Sequence, residues 1–188
     1  MRIRLLGWVG LVIAVAGFIY ANRIEPRWIR VKQTTIPIQT NVPEKLSLRI
    51  VHLTDFHLSS AVGLDYLTSV FRQTAALHPD LICITGDFYT DHLRQGAAYA
   101  NALRILPGSA PTFACPGNHD FGVWARERGG YPEGDSLRTL LRNSGITLLE
   151  NADAILKVRG QRIMVGGLGD IWAISTPMRG IQCMSRRE

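Results

Sequence analysis

The sequence predicts an α/β fold with a mostly parallel sheet, preceded by one transmembrane helix. Two patterns indicate this fold: β-rich runs alternate with segments of helical apolar spacing, and 17 uncharged residues, 5–21, stand near the N-terminus. A β-α-β order implies right-handed crossovers and functional groups at the carboxyl ends of the strands. We divide the 188 residues into a membrane helix at 1–22, a connector at 23–45 and a domain at 46–188.

The strands and helices of the domain follow from apolar periodicity and from the residues that end each run. A short edge strand is predicted in the connector, and six further strands in the domain. In chain order, strands are predicted at 34–39, 48–54, 81–85, 112–115, 146–149, 154–158 and 162–168. Helices are predicted around Leu64, Leu67, Phe71 and Ala75, around Tyr99, Ala102, Leu103 and Leu106, and around Leu137, Leu140 and Leu141, the last capped by Asp135 or Ser136.

The uncharged N-terminal segment is near the lower length limit for a membrane span. A cleavable signal peptide and a buried soluble helix are the two alternatives. The segment is preceded by two basic residues and followed by four, which favours a cytoplasmic domain by a small margin. These residues are Arg2 and Arg4 before the segment, and Arg23, Arg27, Arg30 and Lys32 after it.

The net charge of +6 is concentrated at the two ends of the chain. Residues 1–32 carry +5 and residues 179–188 carry +2, which leaves −1 for residues 33–178. Because nucleic-acid binding depends on a basic surface, this distribution argues against a nucleic-acid partner.

Three polar clusters each follow a predicted strand directly. Asp55 and Asp87 are 32 residues apart, and Asp87 and Asn118 are 31 apart. Since each interval is about one βα unit, the clusters are expected to meet at one edge of the sheet. An extended backbone would point Asp55 and His57 to the same side. The clusters are Thr54-Asp55-Phe56-His57, Gly86-Asp87-Phe88 and Gly117-Asn118-His119-Asp120.

Carboxylate and imidazole side chains in this arrangement suit a pair of divalent cations. Carboxylates bind Mg and Mn, imidazole favours Mn, Fe or Zn, and a carboxylate between two ions can bridge them. Asn118 offers a neutral oxygen, and His119 beside it can protonate a leaving alkoxide. Either of the first two clusters alone is more often an ordinary turn, and only the three in register indicate a site.

The D-x-H, G-D and G-N-H-D series resembles the calcineurin-like metallophosphoesterase family. The runs IVHLTDFHLS and DLICITGDF resemble its membrane-associated bacterial branch, which includes UDP-2,3-diacylglucosamine pyrophosphatase-like phosphodiesterases. The resemblance covers about residues 46–172. It implies the family's αββα sandwich and a single-pass location in a bacterial inner membrane.

The resemblance also implies a role for each residue of the clusters. Asp55 and His57 would bind the first of two divalent metal ions, Asp87 would bridge, and Asn118 would bind the second. His119 would stabilise the transition state and protonate the leaving group, assisted by Asp55. The implied function is hydrolysis of a phosphodiester or pyrophosphate, in a substrate that the membrane helix suggests is lipid-linked.

The sequence departs from the family pattern after residue 119. The family completes its site with a later histidine and a G-H-x-H motif, whereas no histidine follows His119 in the remaining 69 residues. We therefore expect the N-terminal half to two-thirds of the fold, one bare sheet face, weak metal binding and reduced or absent activity. The last residues, IQCMSRRE, suggest a frameshift, an early stop or a split gene.

Two alternatives stay open. A non-catalytic, membrane-tethered remnant or partner-binding fragment would share the same sequence pattern without turnover. Trp124 and Tyr131 lie in the glycine-rich segment after His119, where lining a lipid or nucleotide entrance and ordinary loop packing explain them equally well. The oligomeric state has no signature in the sequence.

Overall fold

The computed structural model describes residues 2–37 and 47–171. The chain divides into two compact units, Met1–Glu44 and Lys45–Glu188. In the first unit, helix α1 spans Arg2–Ile19 and continues through a π-helical turn, Tyr20–Ile24, and a 3₁₀ turn, Glu25–Arg27. The stretch Trp8–Arg27 is long and apolar enough to cross a membrane, and its side chains are not buried.

The prediction of a strand at 34–39 is wrong for residues 34–37, the part of this segment that the structure describes. Residues 34–37 form neither helix nor strand, and residues 38 and 39 lie outside the described ranges. Pro37 lacks the N–H that a strand donates to its neighbour, which limits strand pairing in this run.

The second unit is built on a four-stranded parallel sheet, which confirms the predicted α/β fold. The strand order is β1-β2-β3-β4, and every neighbouring pair is parallel. The central strands match their predictions to the residue because they are apolar on both faces. The strands are β1 (Ile50–Thr54), β2 (Leu81–Thr85), β3 (Thr112–Cys115) and β4 (Thr147–Leu148).

Helices cover one face of this sheet. The buried residues of the three longer helices form a single core with Ile82, Ile84 and Ala114. A short helix between β3 and the last long helix was not predicted. The helices are α2 (Leu64–Ala76), α3 (Gly96–Leu103), α4 (Val123–Glu127) and α5 (Asp135–Ser144).

Two details of the helices differ from the sequence prediction. α3 ends at Leu103, although Leu106 in the turns that follow is still fully buried. α5 begins at Asp135 after Gly134, and no side chain caps its first turn, so the predicted cap is wrong. Asp135 lies inside the first turn instead, where its charge is favourable near the positive end of the helix dipole.

The last two strands form a separate antiparallel hairpin, so they do not extend the parallel sheet. β5 spans Ala152–Val158 and β6 spans Gln161–Gly167. Positive φ values at Arg159 and Gly160, 48° and 84°, give the two-residue turn the twist that hairpins favour.

The hairpin covers part of the sheet face that the helices leave free. Ala154, Leu156 and Val165 pack against Leu81 and Phe113, which are buried there. The expectation of a bare face therefore holds only on the β1 side, where Ile50 keeps 52% of its surface exposed.

Candidate metal centre

The loops that carry the three polar clusters begin side by side. In the sheet register Thr54 pairs with Thr85, and Thr85 pairs with Cys115. Each strand ends at one of these residues, and the cluster follows immediately. Parallel strands thus deliver all three clusters to one edge of the sheet, as the chain spacing predicted.

Four of the predicted site residues meet at this edge. The Nε2 atom of His57 lies 3.6 Å from Oδ1 of Asp55 and 3.5 Å from Oδ2 of Asp87. The His57 and His119 rings are 4.6 Å apart between centroids, edge to face. One donor atom each from His57, Asp87 and His119 lies within 4.8 Å of the other two.

The fifth predicted residue, Asn118, lies on the same loop as His119 and is half-buried. Within the described ranges, no hydrogen bond joins its side chain to the other four residues. The structure therefore brings the Asn118 backbone to the cluster without fixing its amide oxygen there.

Left-handed backbone conformations orient the acidic residues and His57. The φ angles are 54° at Asp55, 45° at His57 and 57° at Asp87. The expectation that an extended backbone directs Asp55 and His57 to one side is therefore wrong, although the two side chains do meet. Non-glycine residues adopt such angles at an energetic cost, and these conformations concentrate at functional sites.

Two glycines allow the second and third loops to touch. A Cβ atom on Gly117 would lie 2.2 Å from Oδ1 of Asp87, and one on Gly86 would lie 2.4 Å from the Gly117 nitrogen. Both distances are shorter than the non-bonded contacts that Cβ atoms make in proteins. The Gly-Asp and Gly-Asn-His-Asp motifs therefore need their glycines for the close approach of the two backbones.

Asp120 holds these two loops together from below the cluster. Its fully buried carboxylate accepts hydrogen bonds from the N–H groups of Asp87 at 2.9 Å, Gly117 at 2.9 Å and Phe88 at 2.7 Å. Burial raises the pKa of Asp120 to about 7, and the three N–H donors oppose this rise. Asp120 belongs to the third polar cluster, but its position in the sequence alone does not indicate this role.

Two hydrogen bonds position His119, one made by its ring and one by its backbone. Its Nδ1 lies 2.8 Å from the carbonyl oxygen of Thr90, which makes Nδ1–H the donor and leaves Nε2 available. Its backbone N–H donates to Oδ1 of Asp87 at 3.1 Å. The partner of the His119 Nδ1 atom is thus a backbone carbonyl. Nothing in the sequence marks a carbonyl for this role.

The donor set suits a hard or borderline divalent cation. Bonds of about 2.1 Å place two donors on one ion about 3.0–3.4 Å apart. The separations of 3.5 and 3.6 Å around His57 are close to this range and too long for ordinary hydrogen bonds. The donor atoms that all lie close enough together to hold one ion are those of His57, Asp87 and His119, and Asp55 lies beside His57.

Comparison with known proteins identifies the family. Residues 48–180 match the calcineurin-like phosphoesterase family over most of the domain. The chain belongs to the calcineurin-like phosphoesterases. Members of this family are phosphoester hydrolases that bind divalent metals, in agreement with the candidate metal-binding group at the sheet edge.

Individual calcineurin-like phosphoesterases resemble the chain over most of its length. Phosphodiesterase YaeI of Escherichia coli (strain K12) is 29% identical over 92% of this chain and 62% of its own length. UDP-2,3-diacylglucosamine pyrophosphatase LpxG of Chlamydia trachomatis is 31% identical over 61% of this chain and 35% of its own length. A transmembrane protein with a metallophosphoesterase domain from Danio rerio is 30% identical over 76% of this chain and 30% of its own. The chain therefore spans less than two thirds of each of these relatives.

Proposed function

We propose that this chain carries the site of a metal-dependent phosphoesterase that hydrolyses a phosphodiester or pyrophosphate bond. The observation that supports the proposal most directly is the convergence of Asp55, His57, Asp87 and His119 at one sheet edge. Oxygen donors, an imidazole donor and a separate oriented imidazole are the groups that such a hydrolysis requires.

In this proposal the site holds two divalent ions, drawn from Mn, Fe, Zn and Mg. Asp55 and His57 would hold the first ion, Asp87 would be a ligand of both, and Asn118 would contribute its amide oxygen to the second. Bound ions would supply Lewis-acid polarisation of the phosphoryl oxygens. Support for the role of Asn118 comes from its place in the chain, since the backbone N–H of the next residue, His119, donates to Asp87.

His119 supplies the proton in the same proposal. Because Thr90 holds Nδ1–H, a second proton can be carried only on Nε2, next to His57 and Asp87. Protonated His119 stabilises the negative charge that develops on the leaving oxygen and then protonates that oxygen. Asp55 contributes through the ion and through its proximity to His57.

The named relatives and the N-terminal helix suggest a substrate at a membrane. One relative acts on a UDP-diacylglucosamine and another is a transmembrane protein. The exposed apolar stretch Trp8–Arg27 fits a single-pass anchor. We propose a lipid-linked phosphoester and an inner-membrane location, with the charge distribution favouring the cytoplasmic face.

We also propose that this chain alone binds metal weakly. The four donors named above come from residues 55–118, and in the described residues no hydrogen bond joins the Asn118 side chain to the other three. An ion with few protein ligands keeps more water and dissociates more readily. Activity of the chain alone should then need metal in excess.

Hydrolysis of bis-p-nitrophenyl phosphate with excess Mn²⁺ tests the proposal. The variant Asp87→Asn keeps the side-chain volume and removes the charge, and Asp153→Asn makes the same change at an exposed position of β5. Turnover in the wild type and Asp153→Asn that disappears in Asp87→Asn supports the enzyme. Absence of turnover in all three proteins would favour the partner-binding remnant.

A further inference from the structure

Trp124 makes a direct contact with the candidate proton donor. The Trp124 and His119 ring centroids lie 4.2 Å apart, tilted by 60°. Trp124 belongs to α4, the short helix that follows the third cluster, and is half-buried. The indole therefore forms a wall of the site on the side where His119 lies.

Arg128 is fixed on this same indole. Its guanidinium carbon lies 3.9 Å from the centre of the Trp124 ring, and its Nη1 donates to the Trp124 carbonyl oxygen at 3.2 Å. A guanidinium held by stacking and by a hydrogen bond has lost much of its freedom before any ligand arrives. The guanidinium and the His119 imidazole both contact the Trp124 ring, so Arg128 lies near the candidate proton donor.

The charge of Arg128 is not neutralised by a carboxylate in the described part of the chain. The only hydrogen bond of its side chain to the described residues leaves Nε and Nη2 free to donate. Three other arginines of the domain differ in this respect, because each is paired with an acidic side chain: Arg94 with Asp91, Arg138 with Glu150 and Arg159 with Asp80.

We propose that Arg128 determines substrate specificity by binding a second phosphate, attached to the leaving oxygen of the bond that is cleaved. This inference rests on the proposed function, since His119 marks the leaving-group side only if it is the proton donor. A guanidinium presents parallel N–H donors that match phosphate oxygens in a way that a lysine does not. The site would therefore favour a pyrophosphate over a simple phosphodiester.

Binding of imidodiphosphate, a non-hydrolysable pyrophosphate, tests the role of Arg128. Its affinity and that of inorganic phosphate would be measured by calorimetry on the full chain in detergent, at constant free Mn²⁺. Arg126→Ala is the matched control, because Arg126 is exposed on α4, two residues before Arg128, and its side chain has no ring contact or carboxylate partner among the described residues.

We expect Arg128→Ala to weaken imidodiphosphate binding roughly tenfold, since a charge-assisted hydrogen bond is worth that much. The affinity for inorganic phosphate should change less than about twofold, because an exposed charge that does not contact the ligand contributes little to binding. Arg128→Lys should recover only part of the loss. Equal effects of the Arg128→Ala and Arg126→Ala variants, or no imidodiphosphate binding by the wild type, would overturn the inference.

Turnover of bis-p-nitrophenyl phosphate separates failure of this inference from failure of the proposed function. That substrate has one phosphate, so Arg128→Ala should lower its kcat/KM by a smaller factor than it lowers the affinity for imidodiphosphate. Imidodiphosphate binding that depends on Arg128 in a protein without turnover would support the anion site and contradict the hydrolase. Turnover in a protein whose imidodiphosphate binding does not depend on Arg128 would support the hydrolase and contradict the anion site.

Discussion

The backbone N–H of Asp87 donates to Oδ2 of Asp120 at 2.9 Å, which joins the loop after β2 to the loop after β3 beneath the candidate metal centre. The same oxygen accepts from Gly117, and the other accepts from Phe88. One buried carboxylate therefore sets the relative position of the two loops that carry Asp87 and His119.

Replacing Asp120 by Ala should destabilise the domain. The methyl group accepts no hydrogen bond, so the backbone N–H groups of Asp87, Gly117 and Phe88 lose their buried partner. We expect a loss of about 3 kcal/mol in the free energy of unfolding, as for a broken buried network. Urea denaturation followed by circular dichroism measures it, and a loss no greater than that of Asp153→Ala would contradict the role given to Asp120.

The pKa of Asp120 also predicts how stability depends on pH. Its folded-state pKa of about 7 lies above the ordinary value of 3.8, because burial disfavours the charge. The folded protein thus keeps a proton that the unfolded chain releases, so this contribution to stability is complete below pH 3.8 and is lost as the pH rises through 7. Unfolding of the metal-free protein should show the decline, and the Asp120→Asn variant should lack it.

Gly117→Ala should separate the second and third loops. The new Cβ would lie 2.2 Å from Oδ1 of Asp87, so either the carboxylate or the backbone must move. We expect a loss of about 1–3 kcal/mol of stability, typical of overpacking, together with weaker metal binding. Gly63→Ala is the control, since nothing lies within 4 Å of the added atom. Equal thermal stability of the two variants would refute the close approach.

Part of this arrangement could be predicted from the sequence because it depends on local patterns. β2 and β3 are short apolar runs that end at Thr85 and Cys115, and the polar clusters begin at once after them. The similar spacing of Asp55, Asp87 and Asn118, 32 and 31 residues, then predicted that the loops meet. These inferences need only strand periodicity and the geometry of parallel sheets.

The rest depends on contacts that periodicity does not encode. α4 has five residues between glycine-containing segments, too few for a helical repeat to show. The left-handed φ of His57 and the Thr90 carbonyl that binds His119 are set by packing of distant loops. The hairpin was predicted as two strands, but its position on the opposite sheet face depends on long-range contacts such as that of Arg159 with Asp80.

Arg159→Ala should loosen the hairpin without unfolding the domain. Arg159 pairs with Asp80 at 3.0 Å and donates to the Ser47 carbonyl at 2.9 Å, which fastens the β5–β6 turn to the parallel sheet. Since Arg159 is partly exposed, the expected cost is only about 1 kcal/mol. Hydrogen exchange should speed up in β5 and β6 and stay unchanged in β2. The same change at exposed Arg162 should have no such effect.

Mn²⁺ binding tests the central claim most directly, namely that the side chains of the three strand ends hold a metal together. Electron paramagnetic resonance of free Mn²⁺ can follow titrations of the wild type, His57→Ala and Asp87→Asn. We expect the wild type to remove Mn²⁺ from solution and each variant to bind at least about tenfold more weakly, as for the loss of one ligand or its support. Equal binding by all three proteins would contradict the account.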